Sequence, residues 1–375
     1  MRFIILVVSC LIVTVVYSQH KHYYLFVGTY TTSKSEGIYV YDFDAESGNT
    51  SFVSKIKANN PSYLAISNNG KYVYAIEDER NNTISAAAAY RFDRKTGSLT
   101  FINKQPNKGI GACYIAVDKQ SKWLFMANYA SGSLSVLPIR KDGSVDTIRQ
   151  FFQHSGSSVN PARQKEPHVH TTVLSPDEQY LYTTDLGTDK INAYAFNPSA
   201  TQPLTPATDS VTLSTPGNGP RHIAFGSTGK VVYFINELSG TIDAFANKNN
   251  KLQLIQTFPI DTTNNGNAQR GSADIHVSPD GNFLYATNRG AYNSIAAYRI
   301  NKTDGKLTFL QMIPTGGIQP RNFMIDPTGA YLLIGHQKTD NITFFKRDIN
   351  TGLLTQMATT LEVGSPVCLK MIPRD

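Results

Sequence analysis

One block of about eighteen residues recurs six times along the chain, and this repetition restricts the fold more than any other feature. Each copy consists of a short apolar strand, a turn related to the pattern Ser/Asp-x-x-Gly and a second apolar strand. The copies begin at Pro61, Ala112, Pro167, Pro220, Ser272 and Pro320. The residues that open the turns are Ser67, Asp118, Ser175, Gly226, Ser278 and Asp326, at spacings of 51, 57, 51, 52 and 48 residues. This period is typical of a β-propeller blade with four antiparallel strands.

The two ends of the chain supply one further blade. Segments 23–30, 36–43 and 48–53 resemble the second, third and fourth strands of a repeat, whereas segment 365–373 resembles a first strand with nothing after it. Between the blocks lie the third and fourth strands, and in the second repeat the fourth strand is predicted over 143–148. The sequence therefore predicts an all-β, seven-bladed β-propeller. The C-terminal strand joins the N-terminal blade, and closing the ring in this way protects strand edges.

The first residues have the pattern of an export signal. Arg2 is followed by an unbroken apolar run from Phe3 to Val16 and then by the small residue Ser18. A positive charge, a short apolar run and a small residue at the cleavage point are typical of a signal peptide. The run is shorter than a transmembrane helix requires. We therefore predict a signal peptide over 1–18, a single propeller domain over 19–375, no membrane span after cleavage, and an exported protein, periplasmic or secreted.

Composition and cysteine content narrow the possible partners. The formal net charge is +7, and no Lys/Arg-rich run with interleaved aromatic residues is present, so a nucleic-acid partner is not expected. The modest positive charge suits a small anionic ligand, and a monomer is expected. Cys113 and Cys368 both fall on predicted innermost strands, but a whole blade separates them, which exceeds the reach of a disulfide. We predict free thiols.

Charged residues break the repeat pattern at one face of the predicted ring. The first and second strands of a blade are antiparallel, so the start of each first strand and the end of each second strand meet at the same face. His168, Arg221 and Arg321 lie at starts of first strands, and Arg270 lies just before another. Glu237 and Arg289 lie at the ends of second strands. These residues are predicted to converge on one mouth of the propeller.

This set of side chains suits an anionic substrate. Guanidinium groups bind carboxylate or phosphate in bidentate fashion. Neighbouring arginines keep Glu237 ionised and so able to orient or deprotonate water. His168 is a candidate base or proton donor because the unperturbed pKa of histidine lies near neutrality.

Other motifs limit the chemistry further. His168 and His170 form an H-x-H pair, but no third metal ligand stands beside them in sequence, so neither a metal nor a cofactor is expected. His222 and His276 are expected to be structural. Gly-rich phosphate loops, G-x-S-x-G and H-E-x-x-H are absent from the sequence, which argues against nucleotide, serine-hydrolase and zincin chemistry.

Five segments carry a family resemblance. They are PARQKEPHVH (161–170), GNGPRHIAF (217–225), NEL (236–238), RGSADIHVSPDGNFLYATNRG (270–290) and QPRNFMIDPTGAYLL (319–333). Over nearly all of residues 22–373 the chain resembles the propeller lactonase family, which includes 6-phosphogluconolactonase and the carboxy-muconate lactonizing enzymes. The resemblance implies a carboxylic ester hydrolase that opens 6-phospho-glucono-1,5-lactone, or a related sugar lactone, without a metal. It implies His168, Arg221, Glu237 and Arg289 as catalytic residues. Arg321, His170 and Arg270 are expected to bind the substrate.

Two other functions remain open from the sequence. A lactonizing isomerase acting on a muconate-like dicarboxylate would use the same arginines for two carboxylates. A non-catalytic propeller would bind a partner or a glycan. The export signal also conflicts with a phosphorylated lactone made in the cytoplasm, so a different lactone outside the membrane is a further alternative.

Overall fold

The structure, a computed structural model, describes residues 21–32, 34–78, 83–260 and 271–374. In these residues the chain forms 28 strands. In chain order they are β1 (His22–Thr29), β2 (Gly37–Asp44), β3 (Thr50–Lys57), β4 (Leu64–Ile66), β5 (Tyr72–Glu77), β6 (Ile84–Asp93), β7 (Ser98–Ile110), β8 (Ala112–Val117), β9 (Trp123–Asn128), β10 (Ser133–Pro138), β11 (Gln150–Gln153), β12 (Val169–Leu174), β13 (Tyr180–Asp185), β14 (Lys190–Phe196), β15 (Leu204–Leu213), β16 (Pro220–Phe225), β17 (Val231–Asn236), β18 (Thr241–Lys248), β19 (Lys251–Pro259), β20 (Ser272–Val277), β21 (Phe283–Asn288), β22 (Ser294–Ile300), β23 (Leu307–Pro314), β24 (Pro320–Ile325), β25 (Tyr331–His336), β26 (Asn341–Arg347), β27 (Leu354–Glu362) and β28 (Pro366–Pro373).

The strands form seven antiparallel sheets of four, which are the blades of a propeller. Blade 1 has the order β28-β1-β2-β3, and blades 2 to 7 follow with four consecutive strands each, beginning at β4, β8, β12, β16, β20 and β24. The first strand of each blade contacts the first strands of both neighbouring blades, so these seven inner strands surround the central channel. The predicted seven-bladed fold is confirmed, including closure of the ring by pairing of Leu369 with Val27.

Ser or Asp residues fix the turn between the inner and second strands. The Oδ1 atom of Asp118 accepts hydrogen bonds from the backbone N–H groups of Lys122 and Trp123, each at 2.7 Å. The hydroxyl of Ser278 accepts the N–H of Phe283 at 3.0 Å in the corresponding turn. These side chains satisfy backbone donors that a tight turn leaves unpaired. Most copies place glycine three residues after the opening residue, as at Gly281, where φ is 70°.

Buried tyrosines link blade 5 to blade 6 and blade 6 to blade 7. The hydroxyl of Tyr233 donates to the carbonyl of Gly305 at 2.7 Å, and that of Tyr285 donates to Gly352 at 2.7 Å. Both acceptors lie in the turn between the third and fourth strands of the following blade. A buried aromatic ring with a satisfied hydroxyl supplies apolar area without an unpaired polar group. Blades 5, 6 and 7 are therefore joined by hydrogen bonds as well as by apolar packing.

One strand prediction was wrong, and one covalent prediction is confirmed. The fourth strand of blade 3 is β11, not segment 143–148, because Val145 instead forms an isolated bridge with Ile139. Cys113 and Cys368 are free thiols on inner strands with a blade between them. The predicted signal peptide, 1–18, lies outside the described residues. In the described part of the chain, no helix has the length and apolar character that a membrane crossing requires.

Candidate active site

A cavity of about 420 Å³ opens at one end of the central channel, where inner strands begin and second strands end. Five lining residues directly follow the last residue of a second strand, and these are Tyr30, Asp78, Tyr129, Glu237 and Arg289. Four others lie at or just before the start of an inner strand, each five residues before the residue that opens the first turn, and these are Ser62, Cys113, His170 and Arg321. Of the residues predicted at the charged mouth, Glu237, Arg289 and Arg321 line this cavity.

β-Bulges direct four inner-strand side chains toward this end of the channel. Pairing with the second strand skips one residue in each of four blades. The skipped residues are Cys113, His170, Arg221 and Arg321. A bulge leaves its extra residue unpaired and changes the direction of that side chain. Cys113, His170 and Arg321 line the cavity. Arg221 is not part of the lining but donates a hydrogen bond to Glu237, which is.

The carboxylate of Glu237 is surrounded by three arginines. Its Oε2 accepts hydrogen bonds from Arg221 Nε at 3.0 Å and from Arg289 Nη2 at 2.8 Å. Its Oε1 accepts a hydrogen bond from Arg163 Nη2 at 2.8 Å. Glu237 and Arg221 are buried, at 7% and 1% exposure, so the contact between these two side chains is shielded from water. The cluster carries a net charge of +2 when all four groups are ionised.

The charges of this cluster fix the ionisation of its members. Burial raises the pKa of Glu237, but Arg289, Arg221 and Arg163 together outweigh burial and hold the pKa well below its usual value. Burial lowers the pKa of Arg221 to about 9, with further lowering by Arg289 and Arg321. Glu237 is therefore an anion and Arg221 a cation at neutral pH. A carboxylate stabilised so strongly as an anion is a weak proton acceptor.

The two histidines of the H-x-H pair have different surroundings. His168 stacks on the ring of Tyr129 with the ring centroids 4.4 Å apart, and its Nδ1 lies 3.0 Å from the Tyr129 carbonyl oxygen. Its ring is outside the lining of the cavity. His170 lines the cavity, and burial, assisted by Arg221, lowers its pKa well below the usual value. Among the described residues, the buried Nδ1 of His170 has no hydrogen-bond partner.

Arg321 lines the cavity and is not neutralised by a carboxylate of the described residues. Its guanidinium carbon lies 5.7 Å from the centre of the Tyr30 ring, a cation–π distance. No carboxylate of the described residues forms an ion pair with Arg321. Arg270, which was expected to bind substrate, lies outside the described residues. Arg321 is thus placed in the cavity to bind an anion.

Comparisons with known proteins identify the family of this chain. Residues 24–371 match the model of the family described as lactonase, seven-bladed β-propeller. The chain belongs to this lactonase family. A 6-phosphogluconolactonase from Formosa agariphila is 37% identical over 350 residues, which cover 92% of this chain and 99% of the relative. A 6-phosphogluconolactonase from Bacillus subtilis is 37% identical over 354 residues, which cover 92% and 97%. The solved structure of a periplasmic gluconolactonase from Pseudomonas aeruginosa is 34% identical with a TM-score of 0.90, and the match covers 94% of this chain and 100% of that one.

This membership confirms the predicted resemblance and the predicted enzyme class, a lactonase of the carboxylic ester hydrolases. The individual roles given to His168, Arg221, Glu237 and Arg289 stay predictions. What the structure adds is their arrangement, since three of the four converge through the Glu237 carboxylate. His168 approaches this group only through its contact with Tyr129.

Sequence reasoning missed Arg163 and Tyr129 in this lactonase. Arg163 lies in the loop before β12, and its Nη2 also donates to the Tyr129 hydroxyl at 3.1 Å. Gln164, which is fully buried, anchors the loop by donating to the carbonyl of Leu186 and to Asp189. Arg163 falls within the segment PARQKEPHVH that carries the family resemblance. The segment was therefore found, but not the role of that residue.

The lactonase offers no grouped metal ligands in its described residues. No set of three or more His, Cys, Asp or Glu side chains is placed there to hold an ion. Of the H-x-H pair, only His170 lines the cavity. The carboxylate of Glu237, which also lines the cavity, already accepts hydrogen bonds from arginines.

Proposed function

We propose that this lactonase hydrolyses glucono-1,5-lactones, with 6-phospho-glucono-1,5-lactone preferred and 6-phosphogluconate as the product. The observation that supports this substrate is Arg321, which lines the cavity with no carboxylate partner among the described residues. An arginine of this kind binds phosphate through two parallel hydrogen bonds. The named relatives support the same class, because two are 6-phosphogluconolactonases and one is a periplasmic gluconolactonase.

The arginine cluster supplies positive charge where the reaction develops negative charge. Water adds to the C1 carbonyl and forms a tetrahedral oxyanion, which collapses with cleavage of the bond between C1 and the ring oxygen. The ring oxygen takes up a proton, and the acid formed releases one. Arg289 lines the cavity and is oriented by Glu237, so it is placed to donate to the oxyanion. Preorganised donors of this type contribute about 3–4 kcal/mol to transition-state stabilisation.

Proton transfer is assigned to His170 in this proposal. Glu237 keeps its three arginines in place, and both of its carboxylate oxygens already accept hydrogen bonds from them, so it is not available as the base. His170 is neutral at pH 7 and its side chain lines the cavity, so its imidazole is the base that we propose. A neutral imidazole accepts a proton from attacking water and passes it to the leaving oxygen. A strong base is not required, because a δ-lactone is an activated ester.

We also propose that the protein acts outside the cytoplasm. The apolar run from Phe3 to Val16 supports export, and a relative of known structure is a periplasmic gluconolactonase. Phosphorylated sugars are made inside cells, so at this location the physiological substrate is another sugar lactone or an acidic lactone. The preference for the phosphorylated lactone is then a property of the site that is measured in vitro. Fractionation of the source cells with an antibody against the protein tests the location.

The substrate is tested by steady-state hydrolysis of phosphorylated and unphosphorylated glucono-1,5-lactone, with spontaneous hydrolysis subtracted. The variant Arg321→Gln keeps a polar side chain but removes the charge. We expect its KM for the phosphorylated lactone to rise at least about tenfold, since a charged hydrogen bond contributes about 1.5–3 kcal/mol, with little change for the other lactone. Equal turnover of the two lactones by both proteins would overturn the phosphate preference. No turnover of either lactone would overturn lactone hydrolysis.

A further inference from the structure

Below the cavity, a buried histidine supports Arg221. Arg221 Nη1 donates to the carbonyl of Ala273 and lies 3.3 Å from His222 Nε2. A guanidinium group can only donate hydrogen bonds, so this contact is a hydrogen bond only if His222 Nε2 is unprotonated and accepts. The protonation state of His222 therefore decides whether Arg221 is supported or repelled at this position.

The second ring nitrogen of His222 defines that state. His222 Nδ1 lies 2.7 Å from Asp274 Oδ1, and both side chains are buried, at 4% and 2% exposure. Burial, reinforced by Arg221, lowers the pKa of His222 to about 4, so the ring is neutral at pH 7. The carboxylate of Asp274 accepts but does not donate. The single ring proton is therefore on Nδ1, and Nε2 is free to accept from Arg221.

Asp274 is itself held in place from several blades. Its Oδ2 accepts from the backbone N–H of Phe323 at 3.1 Å and from the side-chain amide of Asn322, both in blade 7. It also lies 3.1 Å from His276 Nε2 on its own strand, β20. Asn322 in turn accepts the N–H of Leu369 in blade 1 at 2.8 Å. Asp274 thus links the inner strands of several blades and is a rigid reference point for the His222 ring.

We propose that Asp274 is a positioning residue for this active site, which acts through the tautomer of His222 on Arg221 and so on the Glu237–Arg289 pair. This role rests on the lactone hydrolysis proposed above. Its physical basis is directional, because the same ring with its proton on Nε2 would present a donor to the Arg221 donor. Partners one layer behind a reacting group that fix its hydrogen-bond state typically change rates 10–100-fold.

The test uses the full chain with Asp274→Asn and a matched control, His276→Gln. The asparagine can donate to His222 Nδ1 and so moves the ring proton to Nε2. The control removes a different partner of the same carboxylate and leaves the His222–Arg221 contact intact. We expect Asp274→Asn to lower kcat 10–100-fold with KM changed less than threefold, and His276→Gln to keep kcat within about threefold.

Two further readouts separate positioning from simple loss of structure. Nitrogen-15 NMR of labelled histidine reports the His222 tautomer without substrate, and we expect Nδ1–H in the unmodified protein and Nε2–H in Asp274→Asn. Should Asp274→Asn fail to fold, His222→Ala, which removes the acceptor alone, is expected to lower kcat by a similar factor. Full kcat in a folded Asp274→Asn or His222→Ala variant, Nε2–H in the unmodified protein, or a loss of kcat without a change of tautomer in Asp274→Asn would each overturn the proposal. Because the tautomer is measured without substrate, an absence of lactone hydrolysis is distinguished from a failure of the positioning role.

Discussion

Arg163 Nη2 lies 2.8 Å from Glu237 Oε1, on the carboxylate oxygen opposite the one that binds Arg221 and Arg289. The side chain of Arg163 is 43% exposed, whereas that of Arg221 is 1% exposed. One carboxylate therefore joins a solvent-accessible arginine on a loop to two buried arginines on the blades. We expect the contacts of Glu237 with the two buried arginines to contribute more to stability than its contact with Arg163.

Removing the carboxylate charge is expected to be costly for both properties. Glu237→Gln leaves Arg221 and Arg289 buried without a counter-charge, and breaking a buried ion pair typically costs 3–5 kcal/mol. We expect a loss of about that size in the free energy of unfolding, measured with urea, and a fall in kcat of about 100-fold or more. A folded Glu237→Gln protein with full activity would remove Glu237 from the site.

Removing the exposed arginine is expected to affect stability little. Arg163→Met keeps the aliphatic length, and an ion pair with one exposed partner contributes about 0–1 kcal/mol. Because Arg163 lines the cavity, we expect its loss to raise KM for a phosphorylated lactone while the unfolding midpoint stays nearly unchanged. Arg140→Met, which breaks a surface pair with Asp146 away from the cavity, is the control and should change neither quantity. An unfolding loss for Arg163→Met as large as that for Glu237→Gln would contradict this view.

The histidine pair provides a direct comparison of roles. His170→Asn removes the ring that lines the cavity, and loss of a general base typically lowers kcat by 10²–10⁴-fold. His168→Asn removes a ring that stacks on Tyr129 outside the lining, so a smaller loss of kcat, below about tenfold, is expected. Steady-state kinetics of the two variants side by side give the answer. A larger loss of kcat in His168→Asn than in His170→Asn would assign the general base to His168, the residue predicted from the sequence.

The repeat explains both how much of this site was predictable and why His168 was chosen. The seven-bladed fold follows from the spacing of the turn residues, because each copy of the block must bury the same apolar strands. Arg221, Arg321 and His170 each lie five residues before the residue that opens the turn of their block. His168 was chosen instead because it directly follows the proline at the start of its block, two residues before His170. The inner strand of blade 4 begins only at Val169, so the start of the block did not mark the start of the strand.

Other features depend on contacts that no local pattern shows. Arg163 belongs to the loop between β11 and β12, whose path is fixed by the buried contacts of Gln164 with Leu186 and Asp189. These contacts join residues more than twenty positions apart. The strand predicted over 143–148 failed for a related reason, since the turn at Gly143 pairs Val145 with Ile139 and the edge strand forms later, at Gln150–Gln153. An edge strand has one neighbour only, so its position is weakly specified by sequence.

The cavity thiol is expected to be unreactive. Burial raises the pKa of Cys113 to about 12 in spite of the opposing effect of Arg321, and its Sγ lies 3.3 Å from the His170 carbonyl oxygen. The thiolate is the reactive form, so alkylation by iodoacetamide at pH 8 should be at least about 100-fold slower than for a free cysteine. Mass spectrometry over time measures this rate, with Cys368, whose pKa is raised to about 11, as the internal comparison. Fast alkylation of Cys113 alone would contradict the neutral state of this thiol.

Stability is expected to fall as the pH is lowered from about 6.5 to 4. Burial lowers the pKa of His222 and of His336 to about 4, whereas the same residues in the unfolded chain bind a proton near 6.5. Between these values the unfolded chain binds more protons than the folded one, so the free energy of unfolding decreases as the pH falls and is highest above 6.5. Each histidine accounts for about 3 kcal/mol across this range. Urea unfolding at pH 7 and pH 4.5 tests the slope, and His336→Gln, which lies outside the cavity lining, should make it shallower by one histidine's share. A free energy of unfolding that is constant or rises on acidification would show that these rings are protonated in the folded protein.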